Sequence, residues 1–176
     1  KWENVTASKA AIRLGVTKMS ANRCFDEIEY LNVDILGMKG KSRVITVPAD
    51  IQKLWNDVRV ILRNPVIARY ELKEDIQLGK KAGITALCEY SLLSDNEYPT
   101  YAITKKEITE SGIRKMKQVH SGEEIGCVVL ELGYFIDFKN KKLEDPLSVT
   151  LSLTESEKQD ERIGISIKRM LEEYVW

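Results

Sequence analysis

Val5-Thr-Ala-Ser-Lys-Ala-Ala-Ile-Arg-Leu-Gly-Val-Thr-Lys-Met-Ser-Ala-Asn-Arg-Cys-Phe-Asp-Glu-Ile-Glu-Tyr-Leu31 decides how the rest of the chain is read. Ala7, Ala10, Ala11 and Leu14 recur at helical spacing behind Thr6, a suitable N-cap, so the pattern predicts a short helix that buries one narrow stripe. Gly15 stands where the chain must leave that helix in a left-handed conformation, and Val16 is expected to plug the angle between two helices. Thr17 then restarts the chain as a second N-cap. In the second helix Ala21, Cys24, Phe25, Ile28 and Leu31 share one face, while Met19, Asn22, Arg23 and Asp26 point away from it.

A short helix, a Gly-Val turn and a longer helix with a polar start form a helix-turn-helix pattern, the geometry that lays one helix in the DNA major groove. Charge divides the second helix: Lys18, Ser20, Asn22 and Arg23 come early, Asp26, Glu27 and Glu29 late. Only the first half can approach phosphates, and its free N–H groups also favour an anion. Asn and Arg are suited to reading adenine and guanine edges. The plainer alternative is an antiparallel helix pair with a solvated polar face. Asn32–Leu36 and Arg43–Val47 read as two short strands joined by Gly37-Met-Lys-Gly-Lys-Ser42. Lys39, Lys41 and Arg43 then gather at a hairpin tip, where a basic wing would meet the DNA backbone or minor groove. Thr17, Lys18, Ser20, Asn22, Arg23, Lys39, Lys41 and Arg43 are the candidate DNA-binding residues.

Downstream, Ile51, Leu54, Trp55, Val58, Ile61 and Leu62 form an amphipathic stripe opened by Pro48-Ala-Asp50 and stopped by Asn64-Pro65. A stripe this wide needs a partner surface: the chain's own packing, a connection to the next domain, or a dimer axis. Val66–Leu72 alternates like a strand, Thr85–Leu93 reads as a short helix, and Tyr98–Thr104 and Ile125–Phe135 are strand-like. Asp145-Pro146 opens a helical segment. Thr154 with Glu157 forms a capping box before a final helix whose buried face is Ile163, Ile167, Met170, Leu171 and Tyr174. The expected fold class is α+β, with a winged helix-turn-helix over residues 1–47, a connecting helix over 48–63 and a mixed α+β interaction domain over 64–176.

Residues 5–47 resemble the winged helix of MarR-type transcription regulators. Pro48-Ala-Asp-Ile-Gln-Lys-Leu-Trp-Asn-Asp-Val-Arg-Val-Ile-Leu-Arg-Asn-Pro65, Ala82-Gly-Ile-Thr-Ala-Leu-Cys-Glu-Tyr-Ser-Leu-Leu93, Pro99-Thr-Tyr-Ala-Ile103, Asp145-Pro-Leu-Ser-Val-Thr-Leu-Ser-Leu153 and Asp160-Glu-Arg162 resemble a bacterial family of winged-helix proteins. Their second domain is similar to that of AbiE-type abortive-infection antitoxins. The resemblance implies a sequence-specific transcriptional regulator, with an antitoxin and autoregulatory role as its extension. Its implied partners are double-stranded DNA, a second copy of the chain and a nucleotidyltransferase-like toxin. A winged helix of this kind has a further helix ahead of the pair, yet the chain opens on Lys1 and no helix precedes Thr6. Further residues upstream are therefore expected, with Trp2 covering core that the missing helix would cover. The competing reading is a protein-interaction module that uses the same fold without DNA.

The 27 Lys and Arg balance 27 Asp and Glu, which argues against a protein that coats nucleic acid without selectivity. Residues 1–63 hold 11 basic against 7 acidic side chains and the remainder 16 against 20, a basic head on an acidic body. No apolar run approaches a membrane span and no signal peptide is visible, so a cytoplasmic protein without membrane contact is expected. Cys24, Cys88 and Cys127 read as reduced core residues. His120 is the single histidine and has no triad around it, while Glu123-Glu124 and Asp160-Glu161-Arg162 read as solvated pairs. No phosphate loop, zinc signature or dinucleotide fingerprint is present, so neither enzyme activity, metal nor cofactor is expected.

Overall fold

Thr6 and Thr17 begin the first two helices of the computed structural model, which describes residues 2–94, 97–134 and 142–176. Thr6 Oγ1 accepts the Lys9 N–H at 3.4 Å and opens α1 (Ala7–Leu14), which Gly15 closes at φ 65°. Thr17 Oγ1 accepts the Ser20 N–H at 3.1 Å and opens α2 (Lys18–Tyr30). Each cap satisfies a backbone donor that the first helical turn would otherwise leave unmade.

Three strands complete this part: β1 (Val5–Thr6), β2 (Leu36–Lys39) and β3 (Ser42–Ile45), in the antiparallel order β1-β3-β2. The hairpin is tighter than the sequence suggests. Gly40, at φ 62°, and Lys41 form its two-residue turn, so Lys39 lies in a strand rather than at the tip. Residues 32–35 are spent leaving α2, with Asn32 left-handed at φ 53° and the Val33 N–H donating to Ile28 O at 3.2 Å.

Val5, Ala7, Ala10, Ala11, Ala21, Phe25 and Ile45 form the core here, with Trp2, Ile28, Ile35, Leu36 and Val47 packed against it. Complete burial of a side chain such as Phe25 stabilises by about 1.5–3 kcal/mol. The helix contact runs through alanines, leaving Leu14 and Val16 61% and 45% exposed; neither joins the stripe or plug expected of it. The buried stripe of α2 follows Ala21, Phe25 and Ile28, so Cys24 falls to its side and is exposed. Cys88 is half-buried, and only Cys127 is a core thiol. Asp50 Oδ1 accepts the Lys53 N–H at 2.8 Å to open α3 (Ile51–Val58). The helix stops at Val58 instead of Leu62, because Ile61 N–H turns back to Val58 O at 2.9 Å; Trp55 is buried, whereas Ile51, Ile61 and Leu62 stay exposed.

The chain divides into two units, Lys1–Ile61 and Leu62–Trp176, and α3 falls in the first. The second holds β4 (Val66–Leu72), β5 (Lys80–Lys81), β6 (Thr100–Thr104) and β7 (Cys127–Leu132) in the order β4-β7-β6-β5. Strand β7 is antiparallel to β4 and parallel to β6. A parallel neighbour needs a crossover, and the one from β6 to β7 contains α5 (Lys105–Ser111) and a single 3-10 turn at Ile113–Lys115. The remaining helices are α4 (Gly83–Tyr90), α6 (Pro146–Ser152), α7 (Glu155–Lys158) and α8 (Glu161–Tyr174). The Thr154–Glu157 capping box opens the short α7, while Asp160 opens α8. Ile163, Met170 and Leu171 are buried as expected, but Ile167 is half-buried and Tyr174 is 43% exposed. The strand end expected at Phe135 lies outside the described residues.

Candidate nucleic-acid interface

The first half of α2 and its cap Thr17 carry five of the eight candidate residues, and two of these hold each other. Thr17 and Ser20 share a hydroxyl contact of 2.9 Å in addition to the cap, so they shape the first turn. Lys18 and Arg23 are exposed and Asn22 is half-buried. Lys39 and Lys41 are exposed on the hairpin. Among the described residues none forms an ion pair or side-chain hydrogen bond with Lys18, Asn22, Arg23, Lys39 or Lys41. Lys9, which sequence reading passes over, lines the same cleft of about 430 Å³ as Lys39, together with Asn4, Thr6 and Ser42. Its signal lies in the pairing of Thr6 with Val44, which no local pattern reports.

Arg43 is the exception. Expected with Lys39 and Lys41 at a hairpin tip, it instead turns its Nη1 to Asp26 Oδ1 at 2.6 Å and to Glu29 Oε2 at 2.9 Å. Its guanidinium also lies 6.0 Å from the centroid of the Phe25 ring. The hydrogen bond to Asp26 leads the effects that hold its pKa above the ordinary value. The late acidic half of α2 is thus tied to β3. At 1.5 Å per residue, Asp26 lies only about 4.5 Å along α2 from Arg23, so the acidic half directly adjoins the N-terminal cations.

In the second unit, Glu123 and Asp160 are engaged structurally. Glu123 pairs with Lys73 and accepts the His120 N–H at 2.8 Å, and the Lys73 contact leads in holding it below the usual carboxylate range. Asp160 caps α8 and binds Arg162 Nη2 at 2.8 Å. Two glutamates not singled out from sequence are buried, Glu131 on β7 and Glu144 ahead of α6. Among the described residues no three His, Cys, Asp or Glu side chains gather as a metal would require. No helix among them is long and apolar enough to cross a membrane. No family model, curated protein or solved structure matches the chain.

Proposed function

We propose that the N-terminal unit is a winged helix-turn-helix that binds duplex DNA as a sequence-specific transcriptional regulator. The carrying observation is the division of charge on one helix and its hairpin: Lys18, Arg23, Lys39 and Lys41 stand exposed and unpaired among the described residues, while the late acids Asp26 and Glu29 are bound to Arg43. In this reading α2 enters the major groove by its N-terminal half, Asn22 and Arg23 meet base edges, and the lysines hold phosphates. Counterion release then makes affinity fall steeply with salt. Fluorescence anisotropy on a randomised duplex pool at several salt concentrations tests it; binding insensitive to salt and to Arg23→Ala would instead favour a protein partner for this unit.

We further propose a homodimer on DNA that reads two half-sites about one helical turn apart, supported by Ile51, Ile61 and Leu62, which stay exposed on and just after α3. Sedimentation of the full chain with and without a two-site duplex measures this directly. For the second unit we propose partner binding, with neutralisation of a nucleotidyltransferase-like toxin as the specific role. Its support is a surface cleft of about 550 Å³ where exposed Leu92 and Ile165 stand beside Arg162 and Arg169, a combination of apolar anchors and arginine suited to protein contacts. Coexpression with a toxin encoded beside the gene is the test. A neighbour that stays lethal and does not co-purify removes the antitoxin role and leaves the DNA-binding reading intact.

A further inference from the structure

Asp26 lies four residues after Asn22 and three after Arg23, so it occupies the same side of α2 one turn further along, with Glu29 a turn beyond. Left bare, these carboxylates would stand within a few ångströms of the surface offered to a polyanion. They are not bare: both are held by the Arg43 guanidinium, whose stem leaves the adjoining β3 and whose Cζ lies 6.0 Å from the Phe25 ring centroid. A cation already shared by two carboxylates is a poor phosphate ligand, since a phosphate would have to displace them.

We propose that Arg43 is a positioning residue for DNA binding that acts without touching DNA: by neutralising Asp26 and Glu29 it allows the first half of α2 to approach phosphates. The inference rests on the DNA-binding reading above. It makes Arg43 different in kind from Lys39 and Lys41, whose exposed ammonium groups meet phosphate directly. It also gives the acids a use, because they hold the arginine against the helix and keep the hairpin from adding a third mobile cation with no sequence preference.

The test uses the full chain and the tightest duplex recovered from a randomised pool. Arg43→Met keeps an apolar stem against Phe25 and removes the charge; it weakens binding about five- to tenfold near 0.1 M salt, where the Debye length is about 10 Å, and less at 0.3 M. Adding Asp26→Asn and Glu29→Gln to that variant restores affinity to within about twofold of the starting protein. The pair Asp26→Asn and Glu29→Gln alone, with Arg43 intact, binds DNA more tightly, because two negative charges are gone and a cation is released. A purely structural clamp predicts the reverse. Unchanged affinity in Arg43→Met, failure of the triple variant to recover, or weakened binding by the acid pair alone each overturns the proposal. Should Arg43→Met melt at the assay temperature, the acid pair decides on its own. A starting protein that binds no duplex at any salt overturns the DNA reading itself, whereas tight binding without rescue overturns only this role of Arg43.

Discussion

Arg114 Nη2 donates to both carboxylate oxygens of Glu131, at 3.2 and 3.1 Å, on a strand whose other residues are all apolar. Tyr70 OH donates to the same carboxylate at 2.8 Å. Glu131 is 2% exposed, so desolvation pushes its pKa up, but the Tyr70 and Arg114 hydrogen bonds outweigh it and hold the carboxyl below the usual range. A lowered carboxyl pKa contributes stability that is present above the unfolded value of about 4.3 and disappears as pH falls through the folded one. Tyr70→Phe should therefore destabilise the protein by about 1.5–3 kcal/mol at pH 7, the worth of a hydrogen bond to a charged group. Urea unfolding at a series of pH values from 7 down into the acid range checks it; a difference that does not shrink as pH falls contradicts the charged-acceptor account.

Glu144 runs the opposite way. Burial first, and the neighbouring Asp145 second, push its carboxyl up to about 8, and its Oε1 has no hydrogen-bond partner among the described residues. The folded state then holds a proton that the unfolded chain releases near pH 4.3, so stability declines with rising pH between about 4.3 and 8, by at most about 1.4 kcal/mol per pH unit. Glu144→Gln removes the titrating group at nearly constant shape. The variant is expected to be more stable than the starting protein at pH 8.5 and to lose that advantage at about pH 4. Melting curves across this range decide; parallel pH profiles for the two proteins would refute it.

On DNA, Arg23→Ala and Asn22→Ala should each cost about 1–3 kcal/mol on a selected duplex and much less on a scrambled one. Lys41→Ala should weaken both duplexes alike and lower the magnitude of the log–log salt slope by about 1. The comparison needs both duplexes at each salt concentration, because base contacts and phosphate contacts differ only in sequence dependence.

Gly79 and Gly112 offer a controlled pair for backbone strain. Both have positive φ, 85° and 71°, but a Cβ on Gly79 would collide with the Ile103 side chain and the Ala102 carbonyl, while one on Gly112 meets open space. Gly112→Ala should cost about 1–2 kcal/mol, the left-handed penalty alone. Gly79→Ala should cost clearly more, or prevent folding, because β6 backbone cannot yield without breaking its pairing with β5 and β7. Equal thermal shifts for the two variants would contradict that difference.

What sequence could reveal follows from the range of each interaction. The caps at Thr6 and Thr17 and the left-handed Gly15 act over three or four residues, so residue type and spacing suffice to place them. Strand β1 is two residues long and exists only by pairing with β3, far along the chain. Arg43 reads from sequence as a hairpin-tip cation because its partners, Asp26 and Glu29, belong to another element. Glu131 sits in an apolar run that reads correctly as a strand, but neither its burial nor its partners Tyr70 and Arg114 are local. Helix α5 did leave a local mark, the Thr104–Glu107 capping box, yet its polar sequence buries only Ile108 and offers no stripe to notice.

The pairing of Val5 with Ile45 and Thr6 with Val44 also orders events during synthesis. Both helices and the β2–β3 hairpin can form from contiguous chain, in microseconds once they are free. The third strand has to wait for residues translated 40 positions later. At about 5–20 residues per second that delay is roughly 2–8 s. During it Val5 has no strand partner, so the β1 edge of the sheet closes only after β3 has emerged.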